Sequence, residues 1–381
     1  MLDILCRLPL YKLFYTFGFP RILPMNYTIS LTYSCNSRCL TCNVYERKAK
    51  DFNLEEYKKL FTSLGKSPYW VTFSGGEPFL KRDLAKIVMA FYDICRPKII
   101  NIPTNGILTS KIVESARLIC RHCEESQIMI NLSVDAIDEE HDRIRNVKGC
   151  YDKVVKTFHE LKKLNIKNLS VGIHTVISKH NVENFTSIAN TLMNLNPDQY
   201  ITEIAEERNE LRTVGTDVTP NLISYKAAAD FLIHRLKHTH INKFVNKVTQ
   251  AFRIEYYNLV KTILRDNKRI IPCYSGVASI QISPDGDVWS CCIKAASLGN
   301  LRKNSYDFRK IWNSKEMKRE RKSIKSKVCY CPLANAAYTN MLLDFKTSRR
   351  VLARLIKGES PAIGNKASDN KVALLAKACK K

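Results

Sequence analysis

From Tyr27 onward the chain repeats one pattern six times: a short apolar run, then a longer stretch with apolar residues at helical spacing. The runs Tyr27–Tyr33, Trp70–Phe73, Ile99–Pro103, Ile128–Val134, Val171–Ile177 and Gln199–Ala205 read as strands. Leu54–Leu64, Asp83–Cys95, Lys111–Arg121, Tyr151–Leu164 and Val182–Leu195 read as helices, the first behind an Asn53 cap. Six β-then-α units specify an α/β fold with a parallel sheet and right-handed crossovers. In such sheets chemistry gathers beyond the carboxyl ends of the strands. The unusual residues fall there. Cysteines follow the first strand, Ser74-Gly75-Gly76-Glu77 the second and Thr104-Asn105-Gly106 the third, while Ser133 and Asp135 end the fourth.

The cysteines after the first strand are Cys35, Cys39 and Cys42. Three thiolates hold a four-iron cluster and leave one iron open, whereas an electron-transfer cluster takes four and is closed. The other readings are a zinc site or three unrelated core cysteines. Zinc usually needs a fourth ligand nearby and spaced cysteine pairs, and no His follows within reach.

Taken together, Cys35-x3-Cys39-x2-Cys42 and the later Gly75-Gly76-Glu77-Pro78 resemble the radical S-adenosylmethionine (SAM) superfamily. The resemblance implies a partial (β/α)6 TIM-like barrel, a SAM-binding 4Fe-4S cluster on the three cysteines, and receipt of the SAM amino group by the Gly-Gly-Glu-Pro stretch. The residue before the last cysteine is usually aromatic and packs near the adenine; here it is Thr41. Gly75 and Gly76, lacking a Cβ, allow close backbone approach, and Glu77 suits an ammonium. Asn105 belongs to the same mouth. Ser133 or Asp135 is expected to accept the ribose hydroxyls, the alternative for Asp135 being a helix cap. Val171–Ile173 is expected along the adenine. His141, Asp142 and Arg145 read as structural salt bridges on a helix. The mechanism the resemblance supplies is one-electron cleavage of SAM to methionine and a 5′-deoxyadenosyl radical, which removes hydrogen from substrate. A reductant such as ferredoxin or flavodoxin is the implied partner.

The sixth strand runs into Glu206-Glu207-Arg208-Asn209-Glu210. Glu206 and Arg208 are the candidate catalytic residues, as substrate or proton handlers; a polar loop is the alternative. Further on, two β-runs flank Pro284-Asp285-Gly286, a hairpin signal, with Cys273 and Cys291 at its ends and Cys329 and Cys331 later. Zinc again competes. The spacing resembles the auxiliary-cluster modules called SPASM and Twitch, and the few late cysteines favour the shorter Twitch form with a second 4Fe-4S cluster. Cys292 rivals Cys331 as the fourth ligand. Cys6, Cys95, Cys120, Cys123, Cys150 and Cys379 match no pattern.

The expected organisation is an aromatic and basic segment over 1–25, the barrel over 26–215, a helical bridge over 216–269, the Twitch-like domain over 270–337, and a basic amphipathic helix with tail over 338–381. Fourteen cysteines in a chain of 381 residues without a secretory signal suit a reducing cytoplasm with metal clusters. No run approaches the ~20 apolar residues of a membrane span. The net charge of +25 reads first as a solvated lysine-rich surface, then as affinity for anionic lipid or nucleic acid. The aromatic N-terminus and the basic C-terminal helix are suited either to a membrane interface, making the protein peripheral at the inner membrane surface, or to packing on the barrel. No RNA-binding module is recognisable, which ranks tRNA modification lower. Peptide maturases in the family often carry an extra N-terminal peptide-binding domain, and about 25 residues ahead of the barrel are too few for one. The expected substrate is therefore non-peptide: carbohydrate, lipid-linked or small molecule. The rivals are a tRNA- or peptide-modifying enzyme and, in another class, a non-catalytic metal scaffold.

Overall fold

A computed structural model describes residues 2–239, 244–327 and 329–357. The chain opens on a helix, α1 (Leu2–Phe17), then enters β1 (Asn26–Ser30) and α2 (Leu54–Leu64). Four units follow: β2 (Trp70–Ser74) with α3 (Leu84–Cys95), β3 (Ile99–Thr104) with α4 (Thr109–His122), β4 (Gln127–Ser133) with α5 (Asp138–Arg145) and α6 (Cys150–Lys163), and β5 (Leu169–Ile177) with α7 (Phe185–Asn194). Next come β6 (Gln199–Ile204), α8 (Leu222–His238) and α9 (Phe244–Asp266). The six expected strands are all present, their ends shifted by at most three residues. Asn53 caps α2 as expected and does so reciprocally: its side chain accepts from Glu56 N, and Glu56 Oε2 accepts from Asn53 N, both at 2.9 Å.

β1 to β6 pair in parallel in sequence order. Their helix-facing positions, among them Ile29, Val71, Ile100, Ile130 and Ile173, are almost fully buried, as a sheet covered by helices requires. The hairpin of the auxiliary region does not stand apart from this sheet. β7 (Ser279–Ile282) pairs in parallel with β1, Asn26 opposite Ser279, and β8 (Val288–Trp289) pairs antiparallel with β7. The sheet therefore has eight strands, ordered β6-β5-β4-β3-β2-β1-β7-β8.

The remaining helices are α10 (Phe308–Trp312), α11 (Lys315–Lys325), α12 (Ala334–Leu343) and α13 (Phe345–Lys357). The single helix expected over 338–357 is thus two. Asp344 makes the break: its Oδ2 accepts from Thr347 N at 2.8 Å and caps α13. The expected linker and tail beyond Lys357, with Cys379, lie outside the described residues.

Candidate active site at the carboxyl ends of the strands

Cys35, Cys39 and Cys42 sit on the loop that leaves β1, all half-buried. Backbone bonds pin this loop to the end of α5, Arg38 N to Arg145 O at 3.1 Å and Leu40 N to Ile144 O at 2.9 Å. Burial pushes the Cys35 thiol up to about 11 and the Cys42 thiol up to about 12. Both are therefore poor thiolates until a metal displaces the proton.

The Gly75-Gly76 turn lies against this loop. Gly76 N donates to Thr32 O at 2.7 Å and Glu77 N to Ser34 O at 2.9 Å. A Cβ on Gly76 would stand 2.3 Å from Ser34 O, and one on Gly75, where φ is +135°, 2.2 Å from Thr32 O. The close approach that demands glycine here is to the cysteine loop's own backbone. Pro78 opens the short turn Pro78–Leu80 that follows.

Glu77 is buried, and both its oxygens are engaged within the protein. Oε1 accepts from Phe79 N at 3.0 Å and Thr104 Oγ1 at 2.9 Å, and Oε2 accepts from Asn105 N at 2.8 Å. Burial raises it to about 6, against those three donors. Asn105 in turn donates from Nδ2 to Asn36 Oδ1 at 2.7 Å and to Ser37 Oγ at 3.2 Å. Glu77 and Asn105, expected as direct contacts to SAM, thus tie the loops after β1, β2 and β3 into one rim. Ser133 ends β4, half-buried.

Asp135 departs further from expectation. Oδ1 accepts from Val176 N at 2.9 Å, and Oδ2 pairs with Arg145 Nη2 at 2.8 Å. Its carboxylate is committed inside the protein, and α5 begins three residues later without it as cap. Arg145, expected in a structural salt bridge on a helix, makes that pair with Asp135; it is 9% exposed and donates from Nη1 toward Cys39 Sγ at 3.6 Å. Burial works against its charge, and Asp135 and Cys39 more than restore it.

The segment after β6 spans the gap between the two cysteine regions. On one side Asn43 N donates to Leu211 O at 2.8 Å and Arg47 Nη1 to Asn209 O at 3.1 Å. On the other, Asn209 N reaches Ile293 O at 3.1 Å and Glu210 N reaches Cys292 O at 3.2 Å. Within it Glu206 is buried, and neither carboxylate oxygen has a hydrogen-bond partner. Arg208 Nε lies 3.9 Å from Glu206 Oε2, and Arg208 Nη2 lies 3.6 Å from Glu203 Oε1. Burial drives Glu206 up to about 8, with Arg208 opposing. Glu203 and its neighbour His174, at 3.9 Å, were missed from sequence. The available signal was polarity inside parallel strands, which are ordinarily near-continuous apolar runs.

Cys273, Cys291, Cys329 and Cys331 line one cavity with Ile271, Leu333 and Asn340. Arg269 Nη2 stands 2.9 Å from Cys329 Sγ. Cys292, the rival ligand, does not line it: it is 2% exposed, packed on Leu333 and Ala336. Among the described residues no three His, Cys, Asp or Glu gather closely enough for a single ion. Both donor sets are all-sulfur, the ligand set that iron–sulfur clusters take. Cys331→Ala is expected to lower iron by about half, from about eight per chain, and Cys292→Ala to leave it unchanged. Iron and sulfide analysis after anaerobic reconstitution checks this, the reverse pattern making Cys292 the ligand.

Residues 29–192 match the Radical SAM superfamily, and residues 273–332 match SPASM, an iron–sulfur cluster-binding domain. The chain is 24% identical over 356 residues to the antilisterial bacteriocin subtilosin biosynthesis protein AlbA of Bacillus subtilis, covering 88% of this chain and 72% of that protein. It is 30% identical over 168 residues to the Fe-coproporphyrin III synthase of Methanosarcina barkeri, covering 43% of this chain and 39% of that one. Among solved structures, Streptococcus suis SuiB bound to S-adenosylmethionine superposes with a TM-score of 0.59 at 13% identity, covering 80% of this chain and 68% of SuiB. The structure of anSMEcpe with bound AdoMet gives 0.59 at 15%, covering 88% and 99%. The chain belongs to the radical SAM superfamily, with a SPASM-type auxiliary region, and its cofactors are S-adenosylmethionine and 4Fe-4S clusters.

Proposed function

We propose that this enzyme modifies a peptide. The observation that carries the reading is the match to the subtilosin biosynthesis protein, which covers 88% of this chain and 72% of that protein. It outweighs the expectation of a non-peptide substrate, which rested on the shortness of the stretch before the barrel.

In this reading Cys35, Cys39 and Cys42 hold the SAM-binding cluster, and Cys273, Cys291, Cys329 and Cys331 hold the auxiliary one. When bound, these cofactors supply one-electron cleavage of SAM and abstraction of a hydrogen atom. The residues of the chain supply position, exclusion of water and proton handling. Glu77 and Asn105 keep the three loops at the rim in register. Gly75, Gly76 and Pro78 shape the backbone that would receive the SAM amino group, and Ser133, the last residue of β4, would accept the ribose hydroxyls. Glu206, buried and without a hydrogen-bond partner, is the group to accept a proton from substrate, held in place by Arg208.

The test follows the isotope. Reconstituted protein is incubated anaerobically with SAM, a reductant and pools of Cα-deuterated peptides, and 5′-deoxyadenosine is examined by mass spectrometry. Deuterium in 5′-deoxyadenosine above the peptide-free background is the expected result. No transfer from any peptide pool, with transfer from deuterated nucleotides or sugars, overturns the peptide reading and restores the small-molecule one.

A further inference from the structure

The two terminal helices carry apolar side chains on their outer faces. Thirteen large hydrophobic residues are exposed among the described residues, and seven belong to residues 10–19 and 345–356. On α13 Phe345, Leu352 and Ile356 are 70%, 56% and 75% exposed and fall at i, i+7 and i+11, one stripe of the helix. On α1 Leu10, Leu13 and Phe17 form a second outward stripe, continued by Phe19, which is 75% exposed. A helix that merely packs on a domain turns such a stripe inward.

Both helices are nonetheless firmly seated by their other faces. Arg350 and Arg354 of α13 grip the buried Glu255 of α9 at 2.6 and 3.0 Å, with Thr347 and Val351 buried beneath. Tyr11 of α1 donates to Leu23 O at 2.8 Å, and Phe14 meets Trp312 edge-on at 6.0 Å. The helices adjoin each other where Lys12 Nζ lies 5.7 Å from the centre of the Phe345 ring. The apolar stripes are therefore held outward by rigid contacts on their opposite sides.

Charge selects the occupant. α1 carries two basic residues and α13 five, against one acid, Asp3. Lys346 and Arg349 are exposed beside the α13 stripe, and Arg21 is exposed just after Phe19. Apolar and aromatic side chains bordered by cations, with almost no acid, suit the plane of an anionic lipid surface. A protein interface instead depletes charge at its core and carries a polar rim.

We propose that the outer faces of α1 and α13 together dock the enzyme on an anionic membrane, lying in the headgroup region without crossing it. No helix among the described residues is long and apolar enough to cross. This surface is independent of which substrate the enzyme takes.

The test is flotation of the reconstituted full chain with phosphatidylcholine vesicles, with and without about one-third phosphatidylglycerol. Binding to the anionic vesicles alone, weakened by salt, is expected. Phe345→Asp with Ile356→Asp, and separately Lys346→Glu with Arg349→Glu, are each expected to lower the bound fraction at least about tenfold. Both pairs should keep wild-type SAM cleavage, which shows that the fold persists. Binding unchanged in both double variants overturns the proposal. So does a full chain that stays unbound while a chain ending at Lys357 floats, which would make residues 358–381 the cover of the patch. Concentration-dependent dimerisation abolished by the Asp pair, without flotation, overturns it in favour of a second copy.

Discussion

Replacing Cys35, Cys39 and Cys42 together by Ala is expected to abolish 5′-deoxyadenosine formation entirely and to lower iron from about eight to about four per chain. The loss is complete because no other thiol among the described residues stands in for these three. Cys120 and Cys123 close α4 and are buried in the core, and Cys150 is buried at the start of α6. The remaining iron persists because the second donor set lies on a different part of the sheet, beyond β7, with its own cavity. The protein should stay folded through the substitution. The loop is held by main-chain bonds from Arg38 and Leu40 to the end of α5 and from Asn43 to Leu211, none of which involves a thiol. Anaerobic reconstitution with iron and sulfide analysis, then dithionite, SAM and a chromatographic assay, reads both quantities. If zinc replaces iron in the wild type, or SAM stays intact with all cysteines present, the enzyme is a metal scaffold. If the triple variant loses all its iron, the two sites assemble interdependently through the 206–213 segment.

What the sequence disclosed and what it hid divide along a physical line. Periodicity locates elements whose apolar faces are read one element at a time, and β1 to β6 are such elements. Spacing alone also gathers the first three cysteines, because they share one loop. Pairing between distant segments leaves no local trace. That β7 continues the barrel sheet beside β1, joining Asn26 to Ser279, could not be read from either run. The same holds for charged groups. Asp135 and Arg145 are ten residues apart, the first read as a ribose contact or a cap and the second as a salt bridge of unnamed partner, and only the turn between β4 and α5 brings them to 2.8 Å. Exposure is the third case. The basic amphipathic pattern within 338–357 was legible, but which face turned to solvent depended on Glu255, about ninety residues before α13. Cys292 and Cys331 were indistinguishable as ligands for the same reason: side-chain direction at the end of a hairpin is set by what packs there, and Leu333 and Ala336 take Cys292.

The Asp135–Arg145 pair yields the second large effect. Asp135→Ala is expected to destabilise the protein by about 3–5 kcal/mol, since it strands a buried guanidinium beside Cys39. Asp135 is 2% and Arg145 9% exposed, so little solvent screens the loss. Denaturant unfolding of the reconstituted protein without SAM measures it. A ribose contact predicts something different: unchanged stability in the absence of SAM, with weakened SAM binding alone. Asp135→Asn separates the two parts of the carboxylate's work, because an amide oxygen still accepts from Val176 N but carries no charge to Arg145. Its cost should fall between wild type and Asp135→Ala. Adding Arg145→Met to Asp135→Ala removes the stranded charge, and much of the lost stability should return, as it does when both members of a buried pair are replaced by apolar groups. The double variant would still lack the N–H that Arg145 directs at Cys39 Sγ. Recovered stability with an altered cluster spectrum would therefore assign the pair two separable roles: holding the cysteine loop on α5, and setting the electrostatic surroundings of the cluster it carries.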